Sequence, residues 1–180
     1  DMALSASRRV PNAMLAASFE DLLDFPNLDC LVITSPNYCH LEQMLRIAQK
    51  RPLPLLVEKP LFTLPEDQTA ILEFIKTYPS PVWVAMEYRY MPPVKAFTEK
   101  VDSVTGGVKM LTIREHRFPF LNKIGDWNRF NDKTGGTFVE KCCHFFDLMR
   151  LIIKSEPVRI MASAGQDANH LNERYEGRVP

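Results

Sequence analysis

Residues 28–34 read Leu-Asp-Cys-Leu-Val-Ile-Thr, a short apolar run that ends at Ser35-Pro36-Asn37. The run is too brief for a helix, and its continuous apolar character is typical of a buried parallel strand. Two further apolar runs follow, Leu55-Leu56-Val57 and residues 81–86, which read Pro-Val-Trp-Val-Ala-Met. The sequence therefore predicts three short parallel strands.

The segments between these runs have helical patterns. Over residues 38–50 the apolar side chains fall on one helical face, and Pro52 and Pro54 follow. Thr63-Leu64-Pro65-Glu66 is typical of a capping box, which would open a second helix that runs to about Tyr78. Strand, helix, strand, helix, strand predicts a doubly wound α/β sheet.

The pattern changes after Tyr88, and we predict a domain boundary there. The first domain, residues 1–88, is expected to be a partial Rossmann-like parallel sheet, and the second, residues 89–180, part of an α+β domain with an open sheet. The elements predicted in the second domain are a helix over 92–101, a strand over 108–116, a long loop over 117–134, a helix over 137–153 and a strand over 158–164. A loop of this length is usually either functional or disordered, and plain surface structure explains it equally well.

The amino-acid composition bears on which kinds of molecule the protein binds and on where it is located. Of the 180 residues, 46% are hydrophobic and 24% charged, which is typical of a soluble globular protein. The 22 basic and 22 acidic residues cancel, so nothing indicates nucleic acid or a membrane surface as partner. No apolar run approaches the roughly 20 residues that span a bilayer. Four cysteines in a chain of this length favour a reducing compartment, and we expect a cytoplasmic protein.

The segment Val57-Glu58-Lys59-Pro60 places a lysine just beyond the end of a parallel strand, where open α/β sheets bind ligands. A lysine in such a cleft can be partly desolvated, which lowers its pKa toward a value useful in proton transfer. Pro60 also makes a cis Lys-Pro bond a candidate. On spacing alone, a solvated lysine before an ordinary turn proline is the commoner case, and it stays open.

A second group of ionisable residues occupies the predicted helix over residues 137–153. Glu140, His144 and Asp147 are spaced i, i+4 and i+7, so a continuous helix would present them on one face. A histidine there would titrate near neutrality, with a neighbouring carboxylate to fix its tautomer. The spacing therefore indicates an acid–base site, although a solvated polar face with a chance histidine explains it equally well.

A zinc site is the other chemistry to weigh. Cys39-His40 and Cys142-Cys143-His144 supply zinc-type ligands, but adjacent residues on a helix point apart. Their spacing matches none of the common zinc patterns. We therefore predict no metal site.

Four motifs, in order, resemble the glucose–fructose oxidoreductase / inositol dehydrogenase (Gfo/Idh/MocA) family. The family's Thr-Pro-Asn-x-x-His is matched at residues 34–40 with one extra residue, Ser35, and its Glu-Lys-Pro at residues 58–60. An Arg-Tyr pair stands at Arg89-Tyr90, and a Gly-Gly to His-x-x-Asp stretch runs from Gly135 to Asp147. The resemblance covers nearly the whole chain.

This resemblance implies hydride transfer between NAD or NADP and a secondary alcohol of a sugar, polyol or derivative. It implies catalytic roles for Lys59, His144 and Glu140, where Glu140 stands in place of the family's aspartate. Residues implied to line the cofactor are Thr34, Ser35, Pro36, Asn37, His40, Glu58, Lys59 and Pro60. Residues expected to recognise substrate are Arg89, Arg117, Trp127, Asn128, Arg129 and Asp147, because guanidinium, amide and aromatic groups suit polyhydroxylated rings.

The sequence lacks the Gly-x-Gly-x-x-Gly turn with which a dinucleotide-binding domain usually begins. The two pairs of adjacent glycines, Gly106-Gly107 and Gly135-Gly136, lie downstream of the three strands predicted in the first domain. We therefore expect the chain to be an incomplete segment. We also expect it to form a homo-oligomer through its C-terminal sheet. The alternative is a non-catalytic pseudoenzyme or a protein-interaction module with the same architecture.

Overall fold

A computed structural model of the chain describes residues 2–10, 12–116, 118, 120–165, 171–174 and 177. Three parallel strands form its sheet in the order β1 (Leu31–Ile33), β2 (Leu55–Val57) and β3 (Val82–Val84). Val32 pairs with Leu56, and Leu56 pairs with Trp83. The predicted α/β class and parallel sheet are confirmed, with each strand three residues long.

Eight helices surround or follow this sheet in the described residues. They are α1 (Met2–Arg9), α2 (Phe19–Asp24), α3 (His40–Lys50), α4 (Gln68–Thr77), α5 (Pro92–Thr105), α6 (Asn131–Thr134), α7 (Gly136–Glu140) and α8 (Cys143–Ile153). Short 3-10 turns lie at Asn37–Cys39, Pro65–Asp67, Glu87–Tyr90 and Ile124–Arg129. None of the helices in the described part of the chain has the length and apolar character needed to cross a membrane.

The core lies between one face of the sheet and helices α3 and α4. Met44 and Ile47 of α3 are fully buried, and Ile71 and Phe74 of α4 are 3% exposed. They pack in one cluster with alternate strand residues, which are Leu31, Ile33, Leu55 and Val57. The intervening residues Val32, Leu56 and Trp83 are exposed, as the two-residue period of a strand requires when helices cover one face only.

The predicted capping box at Thr63 is wrong. The helix begins as the 3-10 turn Pro65–Asp67, and no side chain caps it. The Thr63 hydroxyl instead donates to the Asp132 carbonyl oxygen at 3.4 Å. Thr63 therefore joins the strand-bearing half of the chain to α6.

The strands predicted over residues 108–116 and 158–164 are also wrong, because neither segment forms a strand in the described residues. Met110, Val158 and Met161 are almost fully exposed. A strand needs a neighbour to accept and donate its backbone hydrogen bonds, and no partner strand lies beside these segments in the described residues. The open sheet expected over residues 89–180 is thus absent from this part of the structure.

The single helix predicted over residues 137–153 is broken into α7 and α8. The backbone N–H groups of Lys141 and Cys142 both donate to the Thr137 carbonyl oxygen at 3.0 Å, which ends α7 in a turn. Lys141 and Cys142 lie between the two helices, and the Lys141 side chain is buried with its Nζ 3.2 Å from a Glu115 carboxylate oxygen. The expected i, i+4, i+7 alignment of Glu140, His144 and Asp147 on one continuous helix is therefore wrong.

Candidate active site

The carboxyl ends of the three parallel strands bring polar residues to one edge of the sheet. Ser35 and Asn37 follow β1, Lys59 follows β2, and Glu87 follows β3. The backbone holds these ends together, since Glu58 N–H donates to the Ile33 carbonyl and Ala85 N–H to the Val57 carbonyl. This edge is where open α/β sheets bind their ligands.

His40 connects the first two of these strand ends. Its Nδ1 lies 2.7 Å from the Pro60 carbonyl oxygen, and its Nε2 lies 2.8 Å from the Ser35 carbonyl oxygen. The side chain is fully buried, and both ring nitrogens contact backbone carbonyl oxygens of the protein itself. The Lys59-Pro60 bond is cis, as Pro60 suggested. The role of His40 toward a cofactor stays a prediction, and what this structure displays is a link between two loops.

Lys59 reaches from the end of β2 to the C-terminal end of α7. Its Nζ donates a hydrogen bond of 2.7 Å to the backbone carbonyl oxygen of Glu140. The last carbonyls of a helix have no partner within the helix and carry partial negative charge, so they suit an ammonium group. This contact fixes the Lys59 ammonium beside the start of α8, which carries His144.

His144 is almost fully buried, at 2% exposure, beside Lys59. The ring of Tyr88 stacks on its imidazole, with the centroids 4.3 Å apart and the planes 11° from parallel. Its Nε2 lies 3.4 Å from a carboxylate oxygen of Glu87. Its Nδ1 is buried and has no hydrogen-bond partner in the described residues. We call Lys59, Glu87, Lys141 and His144 the Lys59–His144 cluster.

The charges of this cluster set the protonation state of His144. Burial lowers the pKa of its imidazole below the ordinary histidine value, because the charged form loses hydration. The Glu87 carboxylate acts in the opposite direction, and the ammonium groups of Lys59 and Lys141 lower the pKa further. The imidazole is therefore neutral at neutral pH, which is the form that accepts a proton.

The sequence pattern did not select Lys141, although it is 8% exposed and central to the cluster. Its Nζ donates to the Tyr88 hydroxyl and lies 3.2 Å from a Glu115 carboxylate oxygen. Burial alone would lower the pKa of Lys141, but the Tyr88 hydrogen bond and Glu115 outweigh it and raise the pKa. A lysine in the helix that the sequence predicted over residues 137–153 would usually be exposed, so no local feature of the sequence indicated that Lys141 is buried.

Glu87 was missed for a different reason, since a signal for it was present. It follows β3 just as Lys59 follows β2, and the carboxyl ends of neighbouring parallel strands meet at one edge. The same rule that selected Lys59 therefore applies to Glu87.

Arg89 and Asp147, both expected to recognise substrate, bind each other. The Arg89 guanidinium donates through Nε and Nη2 to the two carboxylate oxygens of Asp147. This two-pronged contact raises the pKa of Arg89, chiefly through the hydrogen bonds. It joins the 3-10 turn after β3 to α8 and so helps hold Tyr88 and Glu87 against His144.

Three of the other residues expected to recognise substrate, Trp127, Asn128 and Arg129, make contacts within the protein. Asn128 is 8% exposed; its Nδ2 donates to the Leu121 carbonyl at 2.8 Å, and its Oδ1 accepts from Lys123 N–H at 3.0 Å. Arg129 donates to the Asn122 side chain. Trp127 makes an edge-on contact with Tyr38, with ring centroids 6.0 Å apart. Arg117 lies outside the described residues, and the substrate roles of all four stay predictions.

The residues expected to line a cofactor lie around the end of β1. Thr34 is exposed, the Ser35 hydroxyl donates to Gln43 at 2.6 Å, and Asn37 is 8% exposed. Asn37 Nδ2 is buried without a hydrogen-bond partner in the described residues. An unpartnered amide donor at this edge fits a ligand that offers an acceptor oxygen, as a nicotinamide nucleotide does. Pro36 and Glu58 are half-buried beside it, and Pro60 is buried.

The described residues contain no cluster of three or more histidine, cysteine or acidic side chains positioned to hold a metal ion.

Comparison with known proteins decides the family. Residues 3–86 match the family described as oxidoreductases with an NAD-binding Rossmann fold, and residues 100–177 match the C-terminal alpha/beta domain of the same family. The chain belongs to the Gfo/Idh/MocA oxidoreductase family. The expected family and its Rossmann-type fold are thus confirmed.

Two curated relatives are dehydrogenases. The chain is 27% identical to inositol 2-dehydrogenase of Rhizobium meliloti, over 77% of this chain and 40% of that protein. It is 28% identical to D-xylose 1-dehydrogenase (NADP(+)) 2 of Haloferax volcanii, over 81% of this chain and 44% of that protein. The chain therefore spans less than half the length of these relatives.

A solved structure supports the fold. The WlbA dehydrogenase from Bordetella pertussis, in complex with NADH and UDP-GlcNAcA, superposes with a TM-score of 0.65 at 21% identity. The alignment covers 84% of this chain and 44% of that one.

Proposed function

We propose that this chain carries the acid–base centre of an NAD(P)-dependent dehydrogenase that oxidises a secondary hydroxyl of a sugar, polyol or derivative. The supporting observation is that Lys59 and His144 lie together at the carboxyl edge of the sheet. The Lys59 ammonium is held by the carbonyl of Glu140, four residues before His144. Family membership and the names of the curated relatives support the same reaction class.

In this proposal His144 takes the hydroxyl proton. A buried imidazole whose pKa is lowered stays neutral at neutral pH and offers a lone pair to the substrate. Lys59 stabilises the alkoxide as negative charge develops on the oxygen, because its ammonium is already ordered by a backbone contact and needs little rearrangement. A bound nicotinamide would supply the hydride-accepting chemistry, and the residues at the end of β1, among them Asn37 with its unpartnered Nδ2, would help to hold it.

Glu140 has a positioning role in this proposal. Its backbone carbonyl oxygen accepts the hydrogen bond from Lys59, so the residue orients the ammonium through its main chain. The carboxylate that approaches His144 Nε2 belongs to Glu87.

We infer that tight NAD(P) binding also requires a glycine-rich turn that these 180 residues do not contain. Such a turn lets the backbone approach the pyrophosphate at a helix N-terminus. This 180-residue chain should therefore show no micromolar affinity for NAD or NADP by isothermal titration calorimetry. Micromolar binding would contradict this inference.

The test of the function is a pair of substitutions in the protein that contains this chain. Lys59→Met and His144→Ala should each lower kcat for the alcohol by about 100-fold or more, because each removes a group that acts in the transition state. Lys76→Met, an exposed lysine on α4, is the matched control and should keep full turnover. Circular dichroism of each variant would establish that the fold is intact.

Retained turnover in folded Lys59→Met and His144→Ala variants would overturn the roles proposed for these two residues, whereas a folded parent protein without turnover would favour the non-catalytic alternative. Homo-oligomerisation and a cytoplasmic location stay predictions, although the described residues contain no C-terminal sheet through which copies would associate. Analytical ultracentrifugation would test the oligomeric state.

A further inference from the structure

We propose that Glu87 relays the proton between the buried His144 imidazole and solvent. The inference rests on the proposed function and assigns a role to a residue that neither the family motifs nor the sequence pattern selected. Glu87 belongs to the 3-10 turn that follows β3, at the same edge as Lys59.

The need for a relay follows from the burial of His144. Each oxidation of a hydroxyl leaves one proton on the imidazole, and this proton must reach water before the next turnover. His144 is 2% exposed, and its Nδ1 is buried without a partner in the described residues. The imidazole therefore has little direct access to water from its own position.

Glu87 meets both requirements of a relay. One carboxylate oxygen lies 3.4 Å from His144 Nε2, and its side chain is 56% exposed. The carboxylate can thus approach the imidazole at one end and exchange protons with water at the other. The proton moves from the substrate hydroxyl to His144, from imidazolium to the Glu87 carboxylate and from there to water, so atoms and charge balance without a further reactant.

The other charged groups around His144 are committed to different partners. Asp147, on α8 itself, binds Arg89 through both oxygens. Lys59 binds the Glu140 carbonyl, and Lys141 binds Tyr88 and Glu115. In the described residues, the Glu87 carboxylate lies within ion-pair distance of no basic group other than the His144 imidazole. The ammonium groups of Lys59 and Lys141 lower the pKa of His144, while Glu87 and, to a smaller extent, Asp147 raise it.

The first test needs no turnover. In the chain labelled with carbon-13 histidine, a proton–carbon NMR titration follows the His144 ring, assigned by loss of its signal in His144→Gln. Glu87→Gln should lower the His144 midpoint by about half a pH unit or more, because it removes the favourable charge at the same side-chain volume. Glu87→Asp, which keeps the charge, should recover part of the shift. Glu99→Gln, an exposed charge removal on α5, should leave the midpoint unchanged.

The second test measures the relay in the protein that contains this chain. Glu87→Gln should lower kcat about tenfold with little change in KM, and added imidazole or formate buffer should restore it by carrying protons. A midpoint that does not move, or a kcat that is unchanged or insensitive to buffer, overturns the relay. Full turnover in His144→Ala overturns the proposed acid–base centre instead, so the two failures are distinguishable.

Discussion

The two halves of the chain differ in where their apolar side chains lie. Up to β3, one face of the sheet and the apolar faces of α3 and α4 form one buried cluster in which Met44 and Ile47 have no exposed surface. After residue 105, Met110, Val158 and Met161 are almost fully exposed. The comparison teaches that a short apolar run forms a strand only where the described residues also supply an adjacent strand to share its backbone hydrogen bonds.

The largest effect should come from a matched pair of methionines, one in each half. Met44→Ala should lower the free energy of unfolding by about 2–5 kcal/mol, because a fully buried side chain leaves a cavity. Met161→Ala, where the side chain is 90% exposed, should change it by less than about 0.5 kcal/mol. Urea denaturation of both variants checks this. Equal losses would contradict the contrast between the halves.

Gly135 sharpens the comparison, because it lies where the two halves touch. Its φ is +76°, and a Cβ there would lie 2.6 Å from Val139 Cβ and 2.8 Å from the Thr63 carbonyl oxygen. Gly135→Ala should therefore cost about 2–3 kcal/mol of unfolding free energy. Gly106→Ala, with a similar φ of +73° but open space around it, should cost only about 1 kcal/mol. Thermal unfolding of the pair would test this difference, and equal costs would count against the contact.

The ion pair between Arg89 and Asp147 is the next contact to break. Asp147→Asn should lower the free energy of unfolding by about 1 kcal/mol. The Asp147 side chain is only 13% exposed, which favours the pair, but the Arg89 side chain is 36% exposed, so water screens part of the attraction. Asp102→Asn removes the exposed pair with Lys154 and is expected to have a much smaller effect. Denaturant midpoints at low and high salt would separate the two. A larger loss in Asp102→Asn would be inconsistent with this account.

A smaller effect should appear in the pH dependence of stability. His144 takes up a proton less readily when folded than when unfolded, because its folded pKa lies below the ordinary value of 6.5. Its contribution to stability is therefore present in full above pH 6.5 and is lost as the pH falls through the folded-state pKa. The substitution His144→Gln should remove this contribution, so the free energy of unfolding should depend less steeply on pH between about pH 7.5 and 5. An unchanged slope would show that His144 is not desolvated.

The sequence predicted the first half well, because its signals are local. The apolar runs, the helical faces and the prolines around residues 31–84 specify strands and helices that cover each other. It selected Lys59 from its place at a strand end, and His144 from the spacing of ionisable residues on a predicted helix and from the family motif. The same strand-end rule would have selected Glu87.

Other features of the site depend on contacts that no local pattern contains. The break between α7 and α8 accompanies the burial of Lys141 against Tyr88 and Glu115, residues distant in sequence. The loop residues Asn128 and Arg129 suit substrate hydroxyls in type, yet they bind groups of their own loop. The predicted strands at 108–116 and 158–164 failed because strand formation depends on a neighbour.

The convergence of Lys59 and His144 is tested most directly by the His144 midpoint in Lys59→Met. Removing the ammonium should raise the His144 pKa by about half a pH unit or more, opposite in sign to Glu87→Gln, because Lys59 opposes protonation of the imidazole. Lys76→Met, the exposed control, should leave the midpoint unchanged. A Lys59→Met midpoint equal to that of the parent chain would contradict a shared site.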